Sequence, residues 1–241
     1  MTSVAITTKP SIDQFIELVR SRRSVRSGYL EDKDVPDELI MKIIEAARWA
    51  PSGGNGQPWE FIIVRDRETR HKIAELFQRQ LVEKGEIQAA SGKPGNFSSG
   101  AGFKNAPVHI IVLGDQRVSK SYPVRTALEK SDSHFFSSLA NASIIIQLAA
   151  ESLGLSTQWL SDVSSLWLSV MVKELLGIPQ NLHVYHLIPI GYSNNRPDAH
   201  YRRPIEEMVH REKYDTSKYR SDEEFDRFVM QHTRRSKEYK L

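Results

Sequence analysis

The 241-residue chain contains no cysteine, which excludes a disulfide framework, an iron–sulfur cluster, a thiolate zinc site and a cysteine nucleophile. That absence agrees with a reducing compartment. Long apolar runs are also missing. The most hydrophobic stretches, 110–113 and 144–150, fall far short of the roughly 20 residues that a membrane-spanning helix needs. Residues 1–10 carry a lysine but no following apolar segment, so no secretory leader is read there and the chain is expected in the cytoplasm. Neither sign of charge dominates: 33 Lys and Arg against 30 Asp and Glu leave a net charge of +3. This is too small an excess to point to nucleic acid or a membrane surface, and neither partner is expected. The chain has no G-x-S-x-G elbow for a hydrolase nucleophile and no H-E-x-x-H helix for zinc. Gly100-Ala101-Gly102 lacks the third glycine of a dinucleotide fingerprint. His183 and His186 stand three apart on a predicted strand, so strict alternation sends them to opposite faces and no metal site is expected.

What remains is an ordinary globular composition, 39% hydrophobic and 26% charged, on a chain long enough to bury a sizeable core. Ile12, Phe15, Ile16 and Val19 behind Ser11 predict a helix running into a basic cluster at 20–26. Pro36 opens a second helix with the stripe Leu39, Ile40, Ile43, Ile44 and Ala47, which stops at Ala50-Pro51. Residues 59–65 (WEFIIVR) read as a strand and 68–83 as a helix. Residues 85–105, rich in Gly, Ser and Lys, read as a lid or mobile loop. A second strand is expected over 107–114. A largely apolar helix over 133–153 calls for burial on nearly every side, in a core or at a subunit interface. A short strand at 155–161, a helix at 165–176 closed by Gly177 and Pro179, and a strand at 183–191 follow. Beyond Arg202 the chain turns polar, with Ser221-x-x-Glu224 opening a helix to about 237. The expected fold is α+β, a central, mostly antiparallel sheet flanked by helices, over 11–210, with a charged extension at 211–241.

Four constellations carry chemistry. Arg22-Arg23-Ser24-Val25-Arg26 places three guanidiniums and a hydroxyl where they could hold a phosphate through charge-assisted forks; taken alone, it is equally a solvated basic face. Pro51-Ser52-Gly53-Gly54-Asn55-Gly56-Gln57-Pro58-Trp59 lets backbone approach a ligand closely and offers uncharged donors and acceptors. Taken alone, it is an ordinary loop. Gly154-Leu155-Ser156-Thr157-Gln158-Trp159-Leu160-Ser161 follows the apolar helix. Arg202-Arg203-Pro204 is a second basic pair after the last strand.

In this order, and with P-I-G-Y at 189–192, these motifs resemble the nitroreductase-like FMN-dependent superfamily over about residues 11–210. The resemblance implies that Arg22, Arg23, Ser24 and Arg26 hold the flavin phosphate, ribityl chain or pyrimidine edge, with Arg202 adding a phosphate contact. It implies that Pro51, Ser52, Gly53 and Asn55, with Gln57 beside them, come from the other subunit. Leu160 and Ser161 would offer a backbone N–H or hydroxyl to flavin N5. Trp159 could border the flavin; the alternative for it, as for Trp49, Trp59 and Trp167, is a core or interface residue. The implied protein is an obligate homodimer that uses NAD(P)H as co-substrate and reduces small electron-poor acceptors such as nitroaromatics, quinones and enones by a ping-pong mechanism. Two other readings stay open: a reductive dehalogenase of halogenated phenols, and a flavin-binding protein without turnover. The iodotyrosine-type branch holds its zwitterionic substrate with a Glu, Tyr and Lys set on a lid. Here the stretch 78–105 has Glu83 and Glu86 but no tyrosine.

Overall fold

A computed structural model of the chain describes residues 11–91 and 100–232. They belong to two compact units, Met1–Gln80 with Ser99–Pro197, and Leu81–Ser98 with Asp198–Leu241. This division does not coincide with the polar extension read from the sequence at 211–241.

The first unit is built on a four-stranded sheet. Its strands are β1 (Trp59–Val64), β2 (Val108–Asp115), β3 (Ser156–Thr157) and β4 (Leu182–Gly191), in the order β1-β2-β4-β3 with every pair antiparallel. The helices are α1 (Ile12–Ser21), α2 (Asp37–Ala47), α3 (Arg67–Ala90), α4 (Val124–Ser152) and α5 (Leu166–Leu176). β2 and β4 are central and buried along almost their whole length, so they read as continuous apolar runs rather than alternating ones. On one face, Val108, Ile110 and Val112 of β2 and Ile188 and Ile190 of β4 pack with Ile40, Ile43 and Ala47 of α2 and Ile146 and Ala150 of α4. On the other, His109 meets Phe103, which packs edge-on to Phe77 of α3 at 5.2 Å. The second unit carries α6 (Ile205–Met208) and α7 (Asp222–His232). The capping box of α7 forms as expected: Ser221 N–H donates to Glu224 Oε2, and Glu224 N–H to Ser221 Oγ.

Several elements depart from the sequence expectation. α3 continues through Gly85 to Ala90, so the first part of the expected 85–105 loop is helical. An interior glycine costs a helix only about 1 kcal/mol relative to alanine and need not end it. A 3-10 turn, Gly102–Asn105, occupies the other end, and 92–99 lie outside the described residues. α4 begins at Val124, earlier than its apolar run, because Pro123 starts it and a polar first stretch, including an Arg125–Glu129 pair at 2.9 Å, carries it. Within this chain α4 buries one face, through Phe135, Ser138, Leu139, Ala142, Ser143, Ile146, Gln147 and Ala150, while Phe136 and Ile144 stay exposed. The apolar stripe of α1 beside it is exposed along its whole length, Ile12 to 68%.

His183 and His186 do not point to opposite faces. The register with β2 shifts between Val112 and Leu113, leaving Tyr185 as an extra residue on β4. Such a bulge inverts the alternation beyond it. His183 therefore packs on Phe135 and Phe136 of α4 while His186 bonds Ser143 of the same helix. Among the described residues no cluster of potential metal ligands forms, and no helix is long and apolar enough to cross a membrane.

His109 is fully buried, with Nε2 placed 3.1 Å from Phe103 O. The carbonyl can only accept, so Nε2 carries the proton. Burial pushes the imidazole pKa from 6.5 down to about 3. The unfolded chain binds a proton here below about pH 6.5 and the folded chain does not, so this contribution to stability is complete above that pH and is lost toward pH 3. Its slope is at most about 1.4 kcal/mol per pH unit. Urea midpoints should fall between pH 7 and pH 5. His109→Gln, although less stable at pH 7, should lose less over that interval; an equal loss would contradict the assignment.

Candidate functional site

Two of the sequence motifs meet at the β3 edge of the sheet. α1 ends where Arg22 N–H donates to Leu18 O. The chain then runs beside β3: Ser24 forms a parallel bridge with Thr157, and Val25 N–H donates to Thr157 O at 2.8 Å. The basic run and the 156–161 segment are thus one continuous edge. Arg23 curls back over the end of α1, its Nη1 donating to Arg20 O, to Ser21 O at 3.0 Å and to Arg22 O at 3.1 Å. A cation there also complements the helix dipole. Its Nε is buried with no hydrogen-bond partner among the described residues. A buried donor left in that state normally costs about 1–3 kcal/mol. An acceptor-rich anion would satisfy it, so the donor chemistry of this edge fits a phosphate, a polyol or a heterocycle carbonyl. Arg26 Nη1 donates to Ser24 O at 3.3 Å.

Further along the edge, Leu160 exchanges both backbone hydrogen bonds with Leu187 of β4, at 3.1 and 3.0 Å. Its N–H is therefore engaged within the sheet. Ser161 is exposed, and among the described residues neither its N–H nor its Oγ makes a hydrogen bond. Trp159 is 46% exposed, yet its Nε1 donates to buried His186 Nε2 at 2.7 Å.

The glycine-rich turn lies elsewhere. It precedes Trp59, which pairs with Gly114 and, through it, with His183 at the start of β4; Thr157 pairs with Ile190 at the far end. Three strand spacings across the sheet and the run from His183 to Ile190 along it put the two motifs roughly 27 Å apart. They occupy diagonally opposite corners. The turn is held by its own Ser52 and by two side chains of α4 that the sequence motifs did not single out. Gly53 N–H donates to Ser138 Oγ (3.2 Å), Asn141 Nδ2 to Pro51 O (3.0 Å) and Gln57 N–H to Ser52 Oγ (3.1 Å). Asn55 and Gln57 adopt φ of 55° and 45°, left-handed values that cost a non-glycine residue about 1–3 kcal/mol and persist only where the surroundings impose them. The missed signal was the polar pair Ser138 and Asn141, three apart in an otherwise apolar helix. Arg202 belongs to the second unit, where its Nη1 donates to His200 O and Tyr201 O.

The comparisons with known proteins agree with one another. Residues 19–192 match the Nitroreductase family. A protein of Archaeoglobus fulgidus provisionally named NADH dehydrogenase/NAD(P)H nitroreductase is 32% identical over 205 residues, which span 84% of this chain and all of the relative. Human iodotyrosine deiodinase 1 is 26% identical over 219 residues, 81% of this chain and 68% of the relative. The crystal structure of an FMN-dependent nitroreductase from Clostridium difficile superposes with a TM-score of 0.60 at 28% identity, covering 83% of this chain and 99% of that one.

Gly53 is pressed against α4: a Cβ there would stand 2.4 Å from His134 Nδ1 and 2.8 Å from His134 Cβ. Gly53→Ala should therefore destabilise the protein by about 1–3 kcal/mol. Thermal unfolding should show a drop of several degrees, whereas Gly100→Ala, with nothing within 4 Å, should leave the Tm in place. Equal Tm values for the two variants would mean that the turn can move off α4.

Proposed function

This chain belongs to the Nitroreductase family, and on that premise we propose that it is an FMN-dependent oxidoreductase that spends NAD(P)H to reduce small electron-poor organic molecules. The observation that carries this reading is the joining of the basic run to the 156–161 segment through Thr157, with a buried, unpartnered donor on Arg23 beside it. Arg22, Arg23 and Arg26 supply the positive charge that a phosphate needs, and Ser24 adds a hydroxyl. Ser161 presents a free N–H and Oγ at the same edge, the position from which a proton on flavin N5 could be held or received. When bound, FMN supplies two-electron transfer through N5. The fold lends binding, orientation and charge: guanidiniums near the ligand favour the state in which it carries negative charge.

The turn at 51–57 offers Ser52, Asn55 and Gln57 to a flat heterocycle without adding charge, but it stands too far from Arg23 in the same chain to share one. We infer that it serves the site of a second copy. The exposed apolar face of α1 with Phe136 and Ile144 of the neighbouring α4 supports that arrangement, because large apolar side chains left exposed together usually mark an interface. One open position above the ligand then serves reductant and acceptor in turn, so no dedicated dinucleotide fold is required.

The purified protein should be yellow, with about one FMN per chain. Arg26→Ala should weaken FMN binding about tenfold or more, the cost of a lost charge-assisted contact, while Arg125→Ala, at an exposed ion pair of α4, should not; equal retention by flavin absorbance would refute the phosphate assignment. Sedimentation should report a dimer. Phe15→Glu, on the exposed stripe of α1, should lower both the dimer fraction and the flavin content. Initial-rate plots at several acceptor concentrations should be parallel, and intersecting lines would exclude alternating use of one site.

A further inference from the structure

A half-exposed tryptophan is normally free to turn, but Trp159 is not. Its indole N–H, a donor only, is given to His186 Nε2 at 2.7 Å, and the two rings meet edge to face with centroids 4.7 Å apart. Since Nε2 accepts, the proton of the imidazole sits on Nδ1, which faces Ser143 Oγ at 2.9 Å and donates to it. Burial keeps this imidazole neutral by holding its pKa down to about 3, so the bond pattern is unchanged over the working pH range. Tyr185 closes the other side, its ring centroid 3.8 Å from that of His186. His186 and Ser143 are buried between β4 and α4, where an apolar pair would fill the same space without the cost of burying polar groups. What a histidine supplies there and a phenylalanine cannot is an acceptor for the indole. The chain Ser143–His186–Trp159 thus runs from the core helix to the surface and ends on a fixed aromatic ring, two residues from Ser161.

We propose that the Trp159 ring is the aromatic wall of the acceptor position, selecting planar aromatic acceptors such as quinones and nitroaromatics over non-aromatic ones, and that His186 and Ser143 are the positioning residues that hold it. This rests on the reading that the flavin lies along the 156–161 edge. A ring whose orientation is set in advance binds a flat partner without losing side-chain freedom. A stacked or edge-on aromatic pair is worth roughly a three- to tenfold preference. The wall acts on binding of the acceptor and adds no group to the chemistry.

The test uses the holoenzyme with 1,4-naphthoquinone and an acyclic enone as acceptors, after FMN content has been read for each variant. In Trp159→Leu the ratio of kcat/KM for naphthoquinone to that for the enone should fall roughly three- to tenfold, with the change carried by KM. His186→Phe keeps a buried ring but removes the acceptor, and should shift the ratio in the same direction. The double variant should be no worse than Trp159→Leu alone, because both act through one ring. If His186→Phe does not fold, Ser143→Ala, which frees the imidazole, should give a smaller shift of the same sign. Full FMN with a ratio unchanged, or with both acceptors losing equally, would overturn the proposal, as would additive effects in the double variant. A wild-type protein without FMN would instead overturn the functional reading, and this inference with it.

Discussion

Helix α4 lies so close to the sheet that a methyl group on Gly114 of β2 would come within 2.5 Å of Phe135 and 2.6 Å of Leu139. The approach is possible because one strand residue has no side chain, and it places a rigid, buried helix across the central strands. Phe135, Leu139, Ala142, Ile146 and Ala150 seal that contact. Interiors packed in this way transmit position rather than absorb it, so polar groups on α4 become fixed points from which other parts of the molecule are held.

Three such groups matter. Ser138 and Asn141 hold the glycine-rich turn by its backbone, with His134 filling the space that a side chain on Gly53 would need. Ser143, one turn further on, holds His186 and through it Trp159. The buried hydroxyls of Ser138 and Ser143 would weaken a purely structural helix, since burial of a hydroxyl is favourable only when its hydrogen bonds are met. Ser138 and Asn141 meet loop backbone and Ser143 meets an imidazole. On the outward side of α4, Phe136 and Ile144 remain exposed, as does the apolar stripe of α1 beside it, so one helix serves the sheet on its inner side and leaves apolar side chains uncovered on its outer side.

Some of the conflicts between local preference and observed conformation lie in the same places. The left-handed φ values of Asn55 and Gln57, the bulge at Tyr185 and the unpartnered Arg23 Nε all fall in or beside the segments proposed to meet a ligand. Binding sites are where such costs are normally tolerated, because the surrounding fold imposes the geometry.

The linear pattern alone determined the antiparallel α+β class, the caps at Ser11 and Ser221 and the stop at Gly177, and it marked out the two segments proposed to meet a ligand, because periodicity, capping and turn chemistry act between residues close in the chain. It misplaced the start of α4 and the end of α3, where polar or glycine-containing stretches are helical without an apolar stripe to reveal them. Only the tertiary structure decided that Ser24 and Thr157 are neighbours and that the glycine-rich turn occupies the opposite corner of the sheet. The same holds for His183 and His186, which share a face because one extra residue in β4 inverts the alternation. These are matters of strand order and register, set by contacts between residues tens of positions apart, and no local preference encodes them.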